Sequence, residues 1–161
     1  VKASGHTDGR SGFAHESYSD RKEGAKFGVY EGTVEEQFVP YIYPQETGNK
    51  TDVRWATVTN KNGIGMLIIG MPSLEVSAHH YATENITEAK RLRDLVKTGE
   101  TIVNMDYRQS AIGNHSCGYA LPLEKYLLKA GPMNFSVRIR PFSKNVRTPQ
   151  SWTVEQPEPI D

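Results

Sequence analysis

Two stretches of this chain concentrate side chains that need partners. Residues 40–55 read Pro-Tyr-Ile-Tyr-Pro-Gln-Glu-Thr-Gly-Asn-Lys-Thr-Asp-Val-Arg-Trp, and residues 107–118 read Tyr-Arg-Gln-Ser-Ala-Ile-Gly-Asn-His-Ser-Cys-Gly. Cys117 and His115 are the residue types of a thiol nucleophile and its base. A strand-like i, i+2 pair in a glycine-flanked loop, with no orienting carboxylate nearby, is a weak arrangement for such chemistry, and Cys117 reads as a small pocket-lining or buried residue. His79 and His80, next to Tyr81 and Glu84, are metal-ligand types, but neighbours in a strand point to opposite faces and do not converge on one ion. Acid and base cleavage of a glycosidic bond needs two carboxyl groups roughly 5–10 Å apart. Glu16, Asp20, Glu46, Asp52, Glu75 and Asp106 qualify by type, yet none sits in a recognisable acid or nucleophile motif. Pairing with Arg21, Lys50, Arg54 or Arg108 accounts for most of them. Glu46 in particular is expected to pair with Arg54 and lock the loop that enters the following strand. Asn49, Asn85, Asn114 and Asn134 open Asn-x-Ser/Thr triplets, which are glycan acceptors only in a eukaryotic secretory path; turns and strand ends account for them as well.

The elements that must position these groups are mostly strands. Residues 53–59 alternate, with Val53, Trp55, Thr57 and Thr59 on one face and Arg54, Ala56 and Val58 on the other. Residues 60–63, Asn-Lys-Asn-Gly, are turn chemistry, and the apolar residues 64–69 complete a hairpin. Residues 74–78, 101–108 and 134–140 alternate in the same way, so an antiparallel sheet is expected. Residues 83–97 break the pattern: Ile86, Ala89 and Leu92, with Leu95 or Val96 beyond, fall at helical spacing behind a Thr83 or Thr87 cap, which predicts one short surface helix. Residues 13–36 read as loops around one or two strands. The tail from Ser143, with Pro149, Pro157, Pro159 and acidic residues, is expected to be extended or disordered.

Composition narrows the classes. A chain of 161 residues with a hydrophobic fraction of 37% suits one domain around one core. Its 19 basic and 19 acidic residues cancel, so no long-range field draws it to nucleic acid or an anionic membrane. The longest nearly apolar run, residues 63–72, is far short of the roughly 20 residues that span a bilayer as a helix. A lone Cys117 makes no internal disulfide and no cysteine-rich zinc site. The polar, glycine-rich start lacks the features of a secretory leader and an initiator methionine, as expected of a piece of something longer.

Three ordered motifs carry a resemblance. Residues 14–22, Ala-His-Glu-Ser-Tyr-Ser-Asp-Arg-Lys, with residues 39–55 and 105–118, resemble the last domain of the large β-galactosidases of glycoside hydrolase family 2, the β-galactosidase small chain. The resemblance covers residues 14–142; residues 1–13 read as a divergent edge or a cloning junction, and residues 143–161 as the tail. It implies an all-β fold, an antiparallel β-sandwich of the galactose-mutarotase-like kind with one short helix, incomplete on its amino-terminal side. It also implies association with the remainder of the enzyme or with a second copy as a homo-oligomer, because half a sandwich leaves edges and an apolar face uncovered.

In this family the catalytic glutamates lie in a separate barrel, so the resemblance implies no catalytic residue here. It implies instead a loop reaching a β-galactoside pocket. The family's Gly-x-x-x-Ser-Trp pattern aligns with residues 113–118, placing Cys117 at the aromatic position with His115, Asn114 and Ser116 as neighbours in substrate binding. A cysteine lacks the broad apolar face of an indole, so weaker acceptor affinity is expected. The family's magnesium and sodium sites lie mainly in the catalytic portion, which implies no cofactor and no metal from this chain. The compartment is left open between bacterial cytoplasm and periplasm. The competing expectation is a non-catalytic carbohydrate-binding or interface module that presents Trp55, Tyr81 and Tyr119 to sugar.

Overall fold

The structure is a computed structural model that describes residues 2–7 as backbone, and residues 16–22, 28–110 and 122–153. Its strands are β1 (Lys2–Thr7), β2 (Gly28–Thr33), β3 (Lys50–Thr59), β4 (Ile64–Tyr81), β5 (Lys97–Asp106) and β6 (Ser136–Ser143), with two short helices, α1 (Thr83–Glu88) and α2 (Pro149–Thr153). The strands form one antiparallel sheet in the order β2-β1-β3-β4-β5, with β6 also paired to β4. The architecture is all-β and sandwich-like, as expected. No described helix is long and apolar enough to cross a membrane.

β3 and β4 are the anticipated hairpin. Asn60 Oδ1 accepts from the backbone of Asn62 and Ile64 at 2.9 and 3.1 Å, and Gly63, at φ 74°, closes the turn with its N–H on the Asn60 carbonyl at 2.9 Å. A glycine meets that left-handed backbone without steric cost. The two strands expected at residues 64–69 and 74–78 are one long strand, β4, which contains the cis Met71-Pro72 bond. Its register against β3 jumps from Trp55↔Ile69 to Val53↔Leu74. The irregularity lets Pro72 sit inside a strand, where its missing N–H would otherwise interrupt a ladder. The first half of β4 pairs with β6 and the second half with β5, so one flank of one strand seats two partners.

That irregularity also corrects the expected facing of β3. Val53 packs with Ala56, Val58, Ile68, Leu74 and Val76, whereas Trp55 packs on the other cluster with Leu67, Ile69 and Phe142. Register shifts on either side of Val53 move it from the Trp55 face to that of Ala56 and Val58. Both faces are therefore apolar, and the centre of the sheet is buried on both sides.

The expected helix over residues 83–97 is realised only as α1, a 3-10 turn at Leu92–Asp94, and the start of β5. Side chains capture the backbone groups that a longer helix would use. Asp94 Oδ2 accepts from the N–H groups of Lys90 and Arg91 at 3.2 and 2.9 Å, and Asn85 Oδ1 accepts from Val96 N–H at 2.7 Å. The tail departs from expectation too: Pro149–Thr153 is helical, and Trp152 packs against the Trp55 cluster between the guanidinium groups of Arg140 and Arg147, 3.8 and 4.5 Å from its ring.

Candidate functional site

Cys117, His115, Asn114 and Ser116 lie outside the described residues, as does Tyr119. The site that can be built lies among the residues before them, where the three sequence motifs meet around Asn49 and, on β4, Glu75. Asn49 Nδ2 donates to Glu75 Oε2 at 2.6 Å, and the Gln109 backbone N–H donates to the same carboxylate. The other Asn49 donor reaches the Ser17 carbonyl at 3.1 Å, while Ser17 N–H donates to the Asn49 carbonyl at 2.7 Å. Ser17 Oγ also lies 3.0 Å from Thr51 Oγ1 and accepts from Thr51 N–H at 3.0 Å. Ser17, Asn49 and Gln109 belong to different motifs, and two buried side chains, Asn49 and Glu75, hold them together.

Burial pushes the Glu75 carboxyl above the usual carboxylate range, Asp52 adds to the rise, and the donors from Asn49 and Gln109, with Lys22, oppose it. Asp52 pairs with Lys22 and adopts φ 55° within the first register shift of β3, between Lys50 and Val53, a left-handed conformation that aspartate tolerates better than most residues. Asp106, opposite Glu75 in the β4–β5 register, accepts from Gln109 Nε2 at 3.2 Å. Two of the expected carboxylate candidates thus anchor Gln109, close to the end of the described stretch 28–110.

A second knot lies beside it. Glu16 accepts from the Tyr18 hydroxyl at 3.2 Å, from the Tyr41 hydroxyl, and from Gly48 N–H at 3.0 Å. Burial, the Glu16 and Glu46 charges and the hydrogen bond to Glu16 drive the Tyr18 phenol far above its ordinary range, and burial with the Glu16 hydrogen bond pushes Tyr41 up to about 12. Lys50 donates to the Gly48 carbonyl at 2.7 Å, and burial of its ammonium pulls it down to about 8 despite the attraction of Glu16. Thr47 Oγ1 both accepts from Val39 N–H at 2.9 Å and donates to the Val39 carbonyl at 3.1 Å. The loop of residues 38–49 is thereby fixed at its base while Ile42 and Tyr43 project outward.

The pairings expected from sequence change accordingly. Glu46 does not lock Arg54: its Oε1 is 3.8 Å from His79 Nε2, and Arg54 lies on the exposed side of β3. Tyrosine hydroxyls, amides and backbone N–H groups hold Glu16 and Glu75, because the carboxylates face inward where long cations are costly to bury. His79 is buried, whereas His80 is partly exposed, with Nε2 3.2 Å from Glu35 and Nδ1 on the Glu100 carbonyl at 3.0 Å. Both border one small cleft of about 60 Å³ floored by Val34 and Phe38, where the β4–β5 register shifts between His79 and Tyr81. No group of three or more metal-ligand side chains gathers among the described residues. Asn49, fully buried and hydrogen-bonded, is no glycan acceptor in this fold. Trp55 is buried in the core, which removes it from a sugar-presenting face, and the partly exposed Tyr81 ring packs on Phe38 at 5.1 Å.

Ser17, Asn49, Thr51 and Glu75 are all buried and bonded to one another and to the backbone, with Asn49 Oδ1 left without a hydrogen-bond partner among the described residues. Spacing alone missed Glu75 as the shared anchor; its signal was a carboxylate on a strand beside buried-type residues, Leu74 and Val76.

The described residues form an all-β domain with a buried polar node beside its edge strand β5. The family model described as Beta galactosidase small chain matches residues 12–139, and the chain belongs to that family. It is 41% identical over 116 residues to the β-galactosidase of Priestia megaterium, covering 72% of this chain and 11% of that protein. It is 34% identical over 120 residues to the β-galactosidase of Kluyveromyces lactis (74% of this chain, 11% of that one). To that of Streptococcus thermophilus it is 33% identical over 132 residues (81% and 13%). The chain thus spans only about a tenth of the length of the curated relatives it matches.

Proposed function

We propose that this chain is the carboxy-terminal domain of a retaining β-galactosidase of glycoside hydrolase family 2, acting on terminal β-D-galactosides such as lactose. The observation that carries this reading is the match of residues 12–139 to the small-chain family, with relatives named β-galactosidase at up to 41% identity. The fold is of the galactose-mutarotase-like kind, and the two catalytic glutamates stand in another part of the polypeptide. Cys117, with His115, Asn114 and Ser116, borders the sugar pocket. The node at Glu75 supports this role, because a loop that must reach a pocket on another domain needs a rigid root. Magnesium and sodium belong to the catalytic portion, and the working enzyme is an oligomer.

The test is hydrolysis of a chromogenic β-galactoside by the 161-residue chain alone, by the complementary amino-terminal portion alone, and by their mixture, with particle size followed by light scattering. Hydrolysis only in the mixture is expected. Turnover by the chain alone would overturn the reading, since a catalytic pair would then have to exist among its own carboxylates.

A further inference from the structure

Asn62 is the one asparagine in the sequence that precedes a glycine. At every other asparagine the side chain of the next residue crowds the backbone nitrogen between them, whereas Gly63 has no side chain to do so. The pair sits at the tip of the β3–β4 hairpin, where Asn62 is exposed and Gly63 is buried. Gly63 N–H donates to the Asn60 carbonyl at 2.9 Å, and Asn62 N–H donates to Asn60 Oδ1 at 2.9 Å. The cover over Gly63 comes from the residue after β6. Lys144 N–H donates to the Gly63 carbonyl at 3.0 Å, and a Cβ on Gly63 would collide with Cγ, Cδ and Cε of Lys144. The apolar stem of that lysine therefore lies directly on the glycine.

We propose that Asn62 is a site of spontaneous deamidation and that the turn, closed beneath Lys144, governs its rate. The Gly63 nitrogen attacks Asn62 Cγ: a C–N bond forms to Gly63, the carboxamide C–N bond breaks, and ammonia leaves with the proton that the Gly63 nitrogen gives up. Water then opens the cyclic imide to aspartate or isoaspartate, and no other co-reactant is needed. In the closed turn the attacking nitrogen holds its proton in the bond to Asn60 and is buried under the lysine stem, so reaction waits on local opening. The product changes the hairpin where it is closed. A carboxylate appears at the turn, and isoaspartate adds a methylene to the main chain between Asn62 and Gly63, which displaces the Gly63 N–H from Asn60.

The test incubates the polypeptide that carries this chain beside a synthetic peptide of residues 57–67, the open reference, in mildly alkaline buffer. Peptide mapping locates isoaspartate and the accompanying mass change. Residue 62 is expected to convert in both, about tenfold or more slowly in the folded polypeptide. Equal rates overturn the inference, as does a folded polypeptide that modifies another asparagine of these 161 residues before Asn62. Lys144→Ala, which removes the stem, should raise the folded rate by about threefold or more, while Lys144→Met, which keeps a stem, should leave it near that of the unaltered protein. An unchanged rate in Lys144→Ala overturns the inference, and so does the same acceleration in both variants. Hydrogen exchange of β3 and β4, expected to be alike in all three proteins, separates loss of the cover from loss of the fold; should Lys144→Ala unfold, the comparison of the folded polypeptide with the peptide still decides.

Discussion

At Asn49 and Glu75 three distant parts of the sequence become one local structure, and removing the carboxylate has a calculable cost. Glu75→Ala leaves the Asn49 amide and the Gln109 N–H without their acceptor, which is expected to destabilise the fold by about 2–4 kcal/mol in urea unfolding. In the full-length polypeptide the same change should lower kcat/KM on a chromogenic galactoside by roughly tenfold or more, because Gln109 no longer fixes the loop root. Lys50 gives a pH signature. Its ammonium is drawn from 10.5 to about 8, so between those values the unfolded chain binds a proton that the folded chain does not. Its contribution to stability therefore rises as pH climbs above about 8 and is lost as pH falls through it, by about 3 kcal/mol over the full range. Tyr41, pushed up to about 12, acts in the opposite direction above its unfolded value of 10.0, which leaves a window of roughly pH 8–10. Melting temperature in that window should rise with pH in the unaltered chain relative to Lys50→Met; parallel curves would show that the folded-state proton loss is not at Lys50. The types of these residues were visible in the sequence, but their partners were not. The choice of Asn49 over an arginine for Glu75 depends on which groups face inward once the strands pair.

Among the elements, the loop of residues 38–49 hinges on one backbone position. Gly48 has φ 73°, donates its N–H to Glu16, and a Cβ there would lie 2.7 Å from the Gln37 carbonyl oxygen. Gly48→Ala is expected to cost on the order of 2–4 kcal/mol, seen as a lower urea midpoint with an unchanged slope. A loss below about 0.5 kcal/mol would mean that the loop relaxes away from Gln37 and is not held as described. The hairpin of β3 and β4 was legible because Asn60 and Gly63 are turn residues by local chemistry and flank alternating strands. The length of α1 was not legible: the spacing of Ile86, Ala89 and Leu92 is genuine, but Asn85 and Asp94 intercept the backbone across the turn. The division of β4 between β5 and β6 was likewise hidden, since no pattern within a strand says which neighbours will share its flank.

Over the whole molecule, the sheet is closed on one face by a residue from the far end of the described chain. Trp152 covers the Trp55, Leu67, Ile69 and Phe142 cluster and stacks between Arg140 and Arg147. Trp152→Ala should lower stability by about 2–3 kcal/mol, while Trp152→Phe should recover part of that loss; equal melting temperatures for all three would show that α2 does not cap the core. The sequence by itself determined that the chain is all-β and antiparallel, where its principal turn lies, and, through three ordered motifs, which family it belongs to. These follow from alternation, turn chemistry and residue identity, all of which are local. Only the tertiary structure decided that Val53 leaves the face of Trp55, that Trp152 packs back on the Trp55 cluster, and that Asn49 and Glu75 together join the three motifs. The physical reason is common to each: register shifts and burial are set by the pairing of strands far apart in the chain, and the satisfaction of buried polar groups is settled only when those strands meet.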